Sequence, residues 1–237
     1  MREVLDELME WYDAGATIGM GTVVATFQSA PRPSGASMLV GPGGEAVGSV
    51  SGGCVEGAVY ELAGEVVASG AAQLQRYGIS DDDAFSVGLT CGGILDVYVE
   101  KVDRRSFPEL ADIADDIRSG RPVAVATVVE HPDPAWVGRR MVIHPGSEPR
   151  VHGSIGSPRA DDAVADDALG LLAQGRNATL TYGPDGERRG EGLRVFVWAF
   201  APAPRMLVFG AIDFAAAVAE VGHFLGYHVT VCDARPV

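Results

Sequence analysis

Cysteine is scarce in this chain. Its 237 residues include three, Cys54, Cys91 and Cys232, and none belongs to a Cys-x-x-Cys pair. So small and odd a number argues against a disulfide scaffold and for a reducing, cytoplasmic setting. It also argues against structural zinc, because Cys54 and Cys91 stand 37 residues apart with no histidine pair nearby. Basic residues are the second shortage. Lys and Arg number 18 against 32 Asp and Glu, a net charge of −14. Without a basic stripe to release phosphate counterions, nucleic acid is a poor partner. The acidic clusters Asp81-Asp82-Asp83 and Asp161 to Asp167 read as solvated faces, or as a surface for meeting a basic protein. Long apolar runs are also missing, since none approaches the roughly 18 residues of a membrane span. The opening MREVLDELMEWYDAG is interrupted by acids and reads as an amphipathic helix rather than a signal peptide.

What is present suffices for a sizeable core: 47% of the residues are hydrophobic, enough for one large domain or two smaller ones. Helical spacing marks residues 2–13, 55–69, 107–119 and 161–173. Strands are expected at 19–27, 36–40, 45–50, 73–77, 94–102, 122–129, 139–143, 151–154, 177–182 and 193–200. Residues 94–102 read as a strand of alternating aliphatic and polar residues. This alternation of strands and helices, with single strands inserted, predicts a mixed α+β domain over residues 1–200. The Ala-Pro-Ala-Pro run at 201–204 is a stiff linker.

Residues 205–237 form a different module. A strand ending at Gly210, a helix and a second strand ending at Asp233 have the βαβ order of a dinucleotide-binding unit, with the acid 23 positions past the glycine. Ile212 stands where a second glycine would admit a pyrophosphate. The chain also stops before a doubly wound sheet can be completed. The class is therefore α/β, a mixed domain followed by an incomplete Rossmann-like unit, and NAD(P) is not an expected cofactor.

Chemistry gathers in three turns. Gly48-Ser49-Val50-Ser51-Gly52-Gly53-Cys54-Val55-Glu56 follows an apolar strand and opens a helix. Its glycines let backbone approach a ligand, its first N–H groups suit an anion, and the helix dipole favours a thiolate at Cys54. The same residues also fit a plain Gly-rich turn with a small buried cysteine. The second turn, Ser29-Ala30-Pro31-Arg32-Pro33-Ser34-Gly35, sets a guanidinium and hydroxyls in a stiff loop, suited to an anion or to an ordinary connection. The third is Gly88-Leu89-Thr90-Cys91-Gly92-Gly93, leading into a strand. His131, His144 and His152 lie elsewhere in the chain, and nothing singles one out as a base for a Cys54 nucleophile.

Taken in order, and closed by Val208-Phe209-Gly210 and Val231-Cys232-Asp233-Ala234-Arg235-Pro236, these motifs resemble the XdhC/CoxI family. Its members are accessory proteins of xanthine dehydrogenase, aldehyde oxidase and carbon monoxide dehydrogenase type molybdenum hydroxylases. The likeness spans residues 19–102 and the stretch from 205 onward, and the middle is less diagnostic. It implies a chaperone, with no turnover of its own, that binds the molybdenum cofactor as molybdopterin or its cytosine dinucleotide. The chaperone would protect the cofactor during sulfuration and pass it to an apo molybdenum hydroxylase. A cysteine desulfurase is the implied sulfur source and a homo-oligomer the expected state. On this reading Cys54 is the molybdenum- or sulfur-proximal thiol and Cys91 the second. Arg32 and the segments Ser51-Gly52-Gly53 and Gly92-Gly93 bind the anionic parts, and Glu56 tunes the thiol or caps the turn. The competing readings are an NAD(P)-dependent oxidoreductase built on the βαβ unit and a thiol enzyme using Cys54.

Overall fold

In the computed structural model, residues 1–78, 92–147 and 150–235 are described. Cys91, Asp81-Asp82-Asp83 and residues 88–90 of the third turn lie outside them. The chain divides into two compact units, Met1–Phe200 and Ala201–Val237. Among the described residues, no helix is long and apolar enough to cross a membrane.

The first unit opens with α1 (Leu5–Asp13). Strands β1 (Ile18–Phe27), β2 (Ser37–Val40) and β3 (Ala46–Gly48) follow, then α2 (Glu56–Ser69), β4 (Gln73–Gly78) and β5 (Ile94–Val102). These strands make one antiparallel sheet in the order β3-β2-β1-β5-β4. The chain then repeats itself. Helix α3 (Leu110–Arg118) precedes β6 (Val123–Glu130), β7 (Arg140–Ile143) and β8 (Val151–Gly153); α4 (Pro158–Gln174), β9 (Ala178–Tyr182) and β10 (Leu193–Phe200) complete the series. The second sheet has the order β8-β7-β6-β10-β9, the first order over again.

The two halves agree in detail. Gly48-Ser49-Val50 at the end of β3 corresponds to Gly153-Ser154-Ile155 at the end of β8, a shift of 105 positions. The same shift carries buried Val55, Val59 and Ala63 onto buried Ala160, Val164 and Ala168, and Glu56 onto Asp161. Gly48 and Gly153 have nearly equal left-handed φ values, +83° and +84°. A Cβ on either would collide with a strand carbonyl, that of Ser37 or of Arg140, so glycine is required twice for one reason. Each long strand carries a bulge at the same place. The β1–β5 register steps from Val23↔Val97 to Ala25↔Asp96 and skips Val24; the β6–β10 register steps from Val128↔Val195 to Glu130↔Arg194 and skips Val129. The middle of the chain, less diagnostic as sequence, is thus a second copy of the first supersecondary unit.

Burial explains the layering. Met20, Val24, Leu39 and Tyr98 of the first sheet share one core with Val125, Val129, Val142 and Phe196 of the second, together with Leu8 of α1 and Ile113 of α3. The sheets therefore pack face to face. Helix α2 covers the other face of the first sheet through Val59, Ala63 and Val66, and α4 lies correspondingly against β6 and β10. With both faces covered, β5 does not alternate buried and exposed positions as its sequence suggests: even Asp96 and Glu100 are buried.

In the second unit, β11 (Arg205–Phe209) and β12 (His228–Cys232) pair in parallel, joined by α5 (Asp213–Phe224). This is the βαβ arrangement expected from the sequence.

Candidate functional site

One end of the first sheet collects the motifs. Phe27 at the end of β1 and Gly78 at the end of β4 both pair with Ile94, the first residue of β5. Gly48, at the end of β3, runs into the Gly-Gly-Cys turn. At Gly93 the backbone is closely covered, since a Cβ there would lie 2.5 Å from the Ser29 carbonyl oxygen and 3.3 Å from Ala30 Cα. Ala30 and half-buried Cys54 pack against the same core cluster beneath α2, which includes Val50 and Val55. Ser29-Ala30, Cys54 and Gly93, taken from three separate motifs, are thus parts of one end of one sheet.

Within the turn, the Glu56 carboxylate is the organising group. Oε1 accepts from the backbone N–H of Val50 (3.2 Å), Ser51 (2.8 Å) and Gly52 (3.1 Å), and from the Ser49 hydroxyl (2.7 Å). Oε2 accepts from the Gly53 N–H (2.8 Å) and the Ser51 hydroxyl. Buried Ser51 takes two further amides on its Oγ, Cys54 at 3.0 Å and Val55 at 2.9 Å. Every amide from Val50 to Val55 therefore has an internal acceptor, which is reciprocal capping extended over a longer turn. Burial pushes the Glu56 carboxyl up, but hydrogen bonds from the Ser51 and Ser49 hydroxyls and the amides outweigh it and bring its pKa down to about 2. An outside anion reaches the Gly52 and Gly53 amides only by displacing this carboxylate. A serine just before the helix and an acid in its first turn were the signal for that in the sequence.

Gly52 and Gly53 have φ of +77° and +113°. Apart from adjacent residues and the helix's own backbone, no described atom comes within 4 Å of a Cβ built on Gly52, Gly53 or Gly57. Among the described residues, the glycine backbone next to Cys54 is thus uncovered. Arg32 is turned to another purpose: its guanidinium pairs with Glu3. Gly92, with φ of +71°, is likewise open among the described residues. Cys54 is a single soft donor, and among the described residues no three His, Cys, Asp or Glu side chains gather to hold a metal ion.

The second copy of this turn has lost the chemistry and kept the frame. Ile155 N–H donates to Asp161 Oδ1 at 2.8 Å, as Val50 N–H does to Glu56. Pro158 and Arg159 replace Gly53 and Cys54. The Trp136 ring fills the space above Gly156, stacked on His131 with ring centroids 4.3 Å apart. His131 therefore serves as a stacking partner. His144 binds Asp116 at 2.8 Å.

In the second unit, the place where a dinucleotide fingerprint would act is occupied from within. The Asp233 carboxylate accepts from the Ala211 N–H (2.7 Å) and pairs with Arg235 (2.6 Å).

Comparison with known proteins fits the duplicated architecture. The model of the XdhC and CoxI family matches residues 11–78 and 116–183. The second segment is the first shifted by the 105 positions that separate the two turns. The chain belongs to the XdhC and CoxI family. Among curated proteins it is 26% identical over 235 residues to a probable xanthine dehydrogenase subunit of Bacillus subtilis, covering 98% of this chain and 63% of that protein. It is 33% identical over 124 residues to the molybdenum cofactor insertion chaperone PaoD of Escherichia coli, covering 52% of this chain and 38% of PaoD. A solved xanthine dehydrogenase from Bacillus halodurans shares the fold, with a TM-score of 0.63 at 22% identity over 98% of this chain and 62% of the other. The XdhC/CoxI chain described here thus spans less than two thirds of the length of each of these relatives.

Proposed function

We propose that this XdhC/CoxI chain is a cytoplasmic accessory protein that holds the molybdenum cofactor and delivers it to an apo molybdenum hydroxylase. The observation that carries the reading is the family match over both copies, supported by the similarity to a protein named as a molybdenum cofactor insertion chaperone. The turn suits the cofactor in one respect that belongs to this chain: a soft sulfur donor, Cys54, beside open glycine backbone. The cofactor, when bound, supplies the molybdenum and dithiolene chemistry. Cys54 shields or carries sulfur at its metal end, with Cys91 as a second thiol. Ser51, Gly52 and Gly53 shape the turn and Glu56 holds it in register. Arg32 and Gly92-Gly93 complete the anionic contacts once Arg32 leaves Glu3. A cysteine desulfurase supplies the sulfur, and the chain works as a homo-oligomer.

The test is anaerobic co-expression in a cofactor-replete host, with bound molybdenum and oxidised-pterin fluorescence measured after purification. Near-stoichiometric cofactor in the parent chain and at least a tenfold loss in Cys54→Ala are expected, with a smaller loss in Cys91→Ala. Equal loading of parent and Cys54→Ala would remove Cys54 from the site. No loading of any form would sink the reading for this chain.

A further inference from the structure

A pair of histidines stands on the second sheet, whereas the Gly-Gly-Cys turn belongs to the first, and the function proposed above makes no use of it. Strand β8 lies at the edge of the second sheet, beside β7. The register sets Val142 opposite His152, and beyond the paired residues the His144 N–H donates to the Arg150 carbonyl at 2.9 Å. Side chains two positions apart on a strand share a face, so His144 stands on the side of Val142 and of its partner His152. The two rings meet edge to face, with 78° between their planes and 5.8 Å between centroids. His152 is exposed, and His144 keeps 23% of its side chain in contact with solvent.

His144 is oriented from behind. Its Nε2 lies 2.8 Å from Asp116 Oδ2, and the other oxygen of that carboxylate accepts from Arg121 Nε at 2.6 Å. Asp116, on α3, is buried, so its negative charge is spent on these two partners. An ionised carboxylate only accepts, which puts the shared proton on Nε2 of His144. In the neutral ring Nδ1 then carries the lone pair. Neither this Nδ1 nor the His152 ring has a hydrogen-bond partner among the described residues. A carboxylate behind one nitrogen, with the opposite nitrogen left as donor, is the arrangement that backs a metal-bound histidine: it fixes the tautomer and raises the basicity of the ligand.

We infer that His144 and His152 form a site for a divalent transition metal ion of the class that suits imidazole, namely nickel, copper or zinc. Metal–nitrogen bonds of about 2.0–2.1 Å to each ring are compatible with the observed spacing of the centroids. Water completes the coordination. Asp116 is a positioning residue that acts through His144. With two protein ligands rather than the three or four of a zinc centre, the ion is held exchangeably. It ties the edge strand β8 to β7 and, through Asp116, to α3. The inference uses neither Cys54 nor the cofactor and stands or falls separately from that reading.

The test is calorimetric titration of the untagged, anaerobically purified chain with nickel chloride. Saturable uptake of one ion is expected below millimolar concentration. His144→Gln and His152→Gln should each weaken it by at least about tenfold. Asp116→Asn keeps an acceptor for Nε2 and removes the charge, and should weaken binding by about 10–100-fold, the usual effect of an outer-shell partner. His228→Ala, which removes an exposed histidine of the second unit, should change nothing. Because His152 is exposed, His152→Gln should melt with the parent in the absence of metal, and nickel should raise the melting temperature of the parent alone. No saturable uptake at millimolar nickel would overturn the proposal. So would equal affinity in the parent and His152→Gln, or the charge-transfer absorption of a nickel thiolate, which places the ion on a cysteine.

Discussion

Glu56 shows how one carboxylate can set the state of a whole turn. Six donors converge on its two oxygens, from residues 49–53. Its pKa falls from the ordinary 4.5 to about 2, because the hydrogen bonds outweigh a burial that acts the other way. A carboxyl whose folded pKa is depressed stabilises the fold fully above its unfolded value and loses that contribution as pH falls toward the folded one. Glu56→Gln should therefore melt lower than the parent at neutral pH, and the gap should close as pH drops from about 4.5 to about 2. Melting curves followed by circular dichroism measure this. A gap that stays constant across that window would show that the carboxylate's charge does not hold the turn.

Helix α2 can lie close on its sheet because β1 offers it glycine. A Cβ on Gly19 would come 2.8 Å from the Ala63 Cβ and 3.3 Å from the Ala63 carbonyl oxygen, so an added methyl must lift the helix. Gly19→Ala should cost about 1–3 kcal/mol, the usual effect of overpacking, read from the urea midpoint. In the second copy the corresponding residue is Ala124, fully buried with its methyl in place. The helix that positions Cys54 is thus set by a feature that the second copy lacks. An unchanged midpoint in Gly19→Ala would mean that α2 shifts without cost. The residues of α2 were readable from their three- and four-residue spacing. The depth at which it sits was not, because that depends on a strand about forty residues away.

The two copies of the first unit are joined by charge as well as by apolar packing. Glu100 of β5 pairs with Arg140 of β7, and both side chains are buried, 6% and 7% exposed. The Arg140 guanidinium also lies over the Phe107 ring, 4.0 Å from its centroid. Removing one member strands a buried charge, so Glu100→Leu or Arg140→Met alone should cost about 3–5 kcal/mol. Glu100→Leu combined with Arg140→Met should recover most of that loss, because the cost lies in the uncompensated ion rather than in the absent pair. A urea-denaturation double-mutant cycle measures the coupling. Strictly additive losses would show that the pair does not join the copies.

Composition, turn chemistry and local periodicity depend on residues a few positions apart, so the sequence alone determined the helices, most strands, the βαβ order of residues 205–235 and the Gly-Gly-Cys turn as the opening of a helix. Duplication escaped it, because the halves share little beyond Gly-Ser-aliphatic, a buried small-residue pattern and an acid in the first helical turn. In the second half, Trp136, Pro158 and Arg159 had overwritten the counterpart of the Gly-Gly-Cys turn. Tertiary structure decided what each charged group faces: Glu56 fills the nest of amides, Arg32 turns to Glu3, and Asp96 pairs with Arg76 and Arg194. Asp96 and Arg194 stand nearly a hundred residues apart in the chain. Their meeting follows from two sheets stacking face to face, which no local pattern in either half encodes.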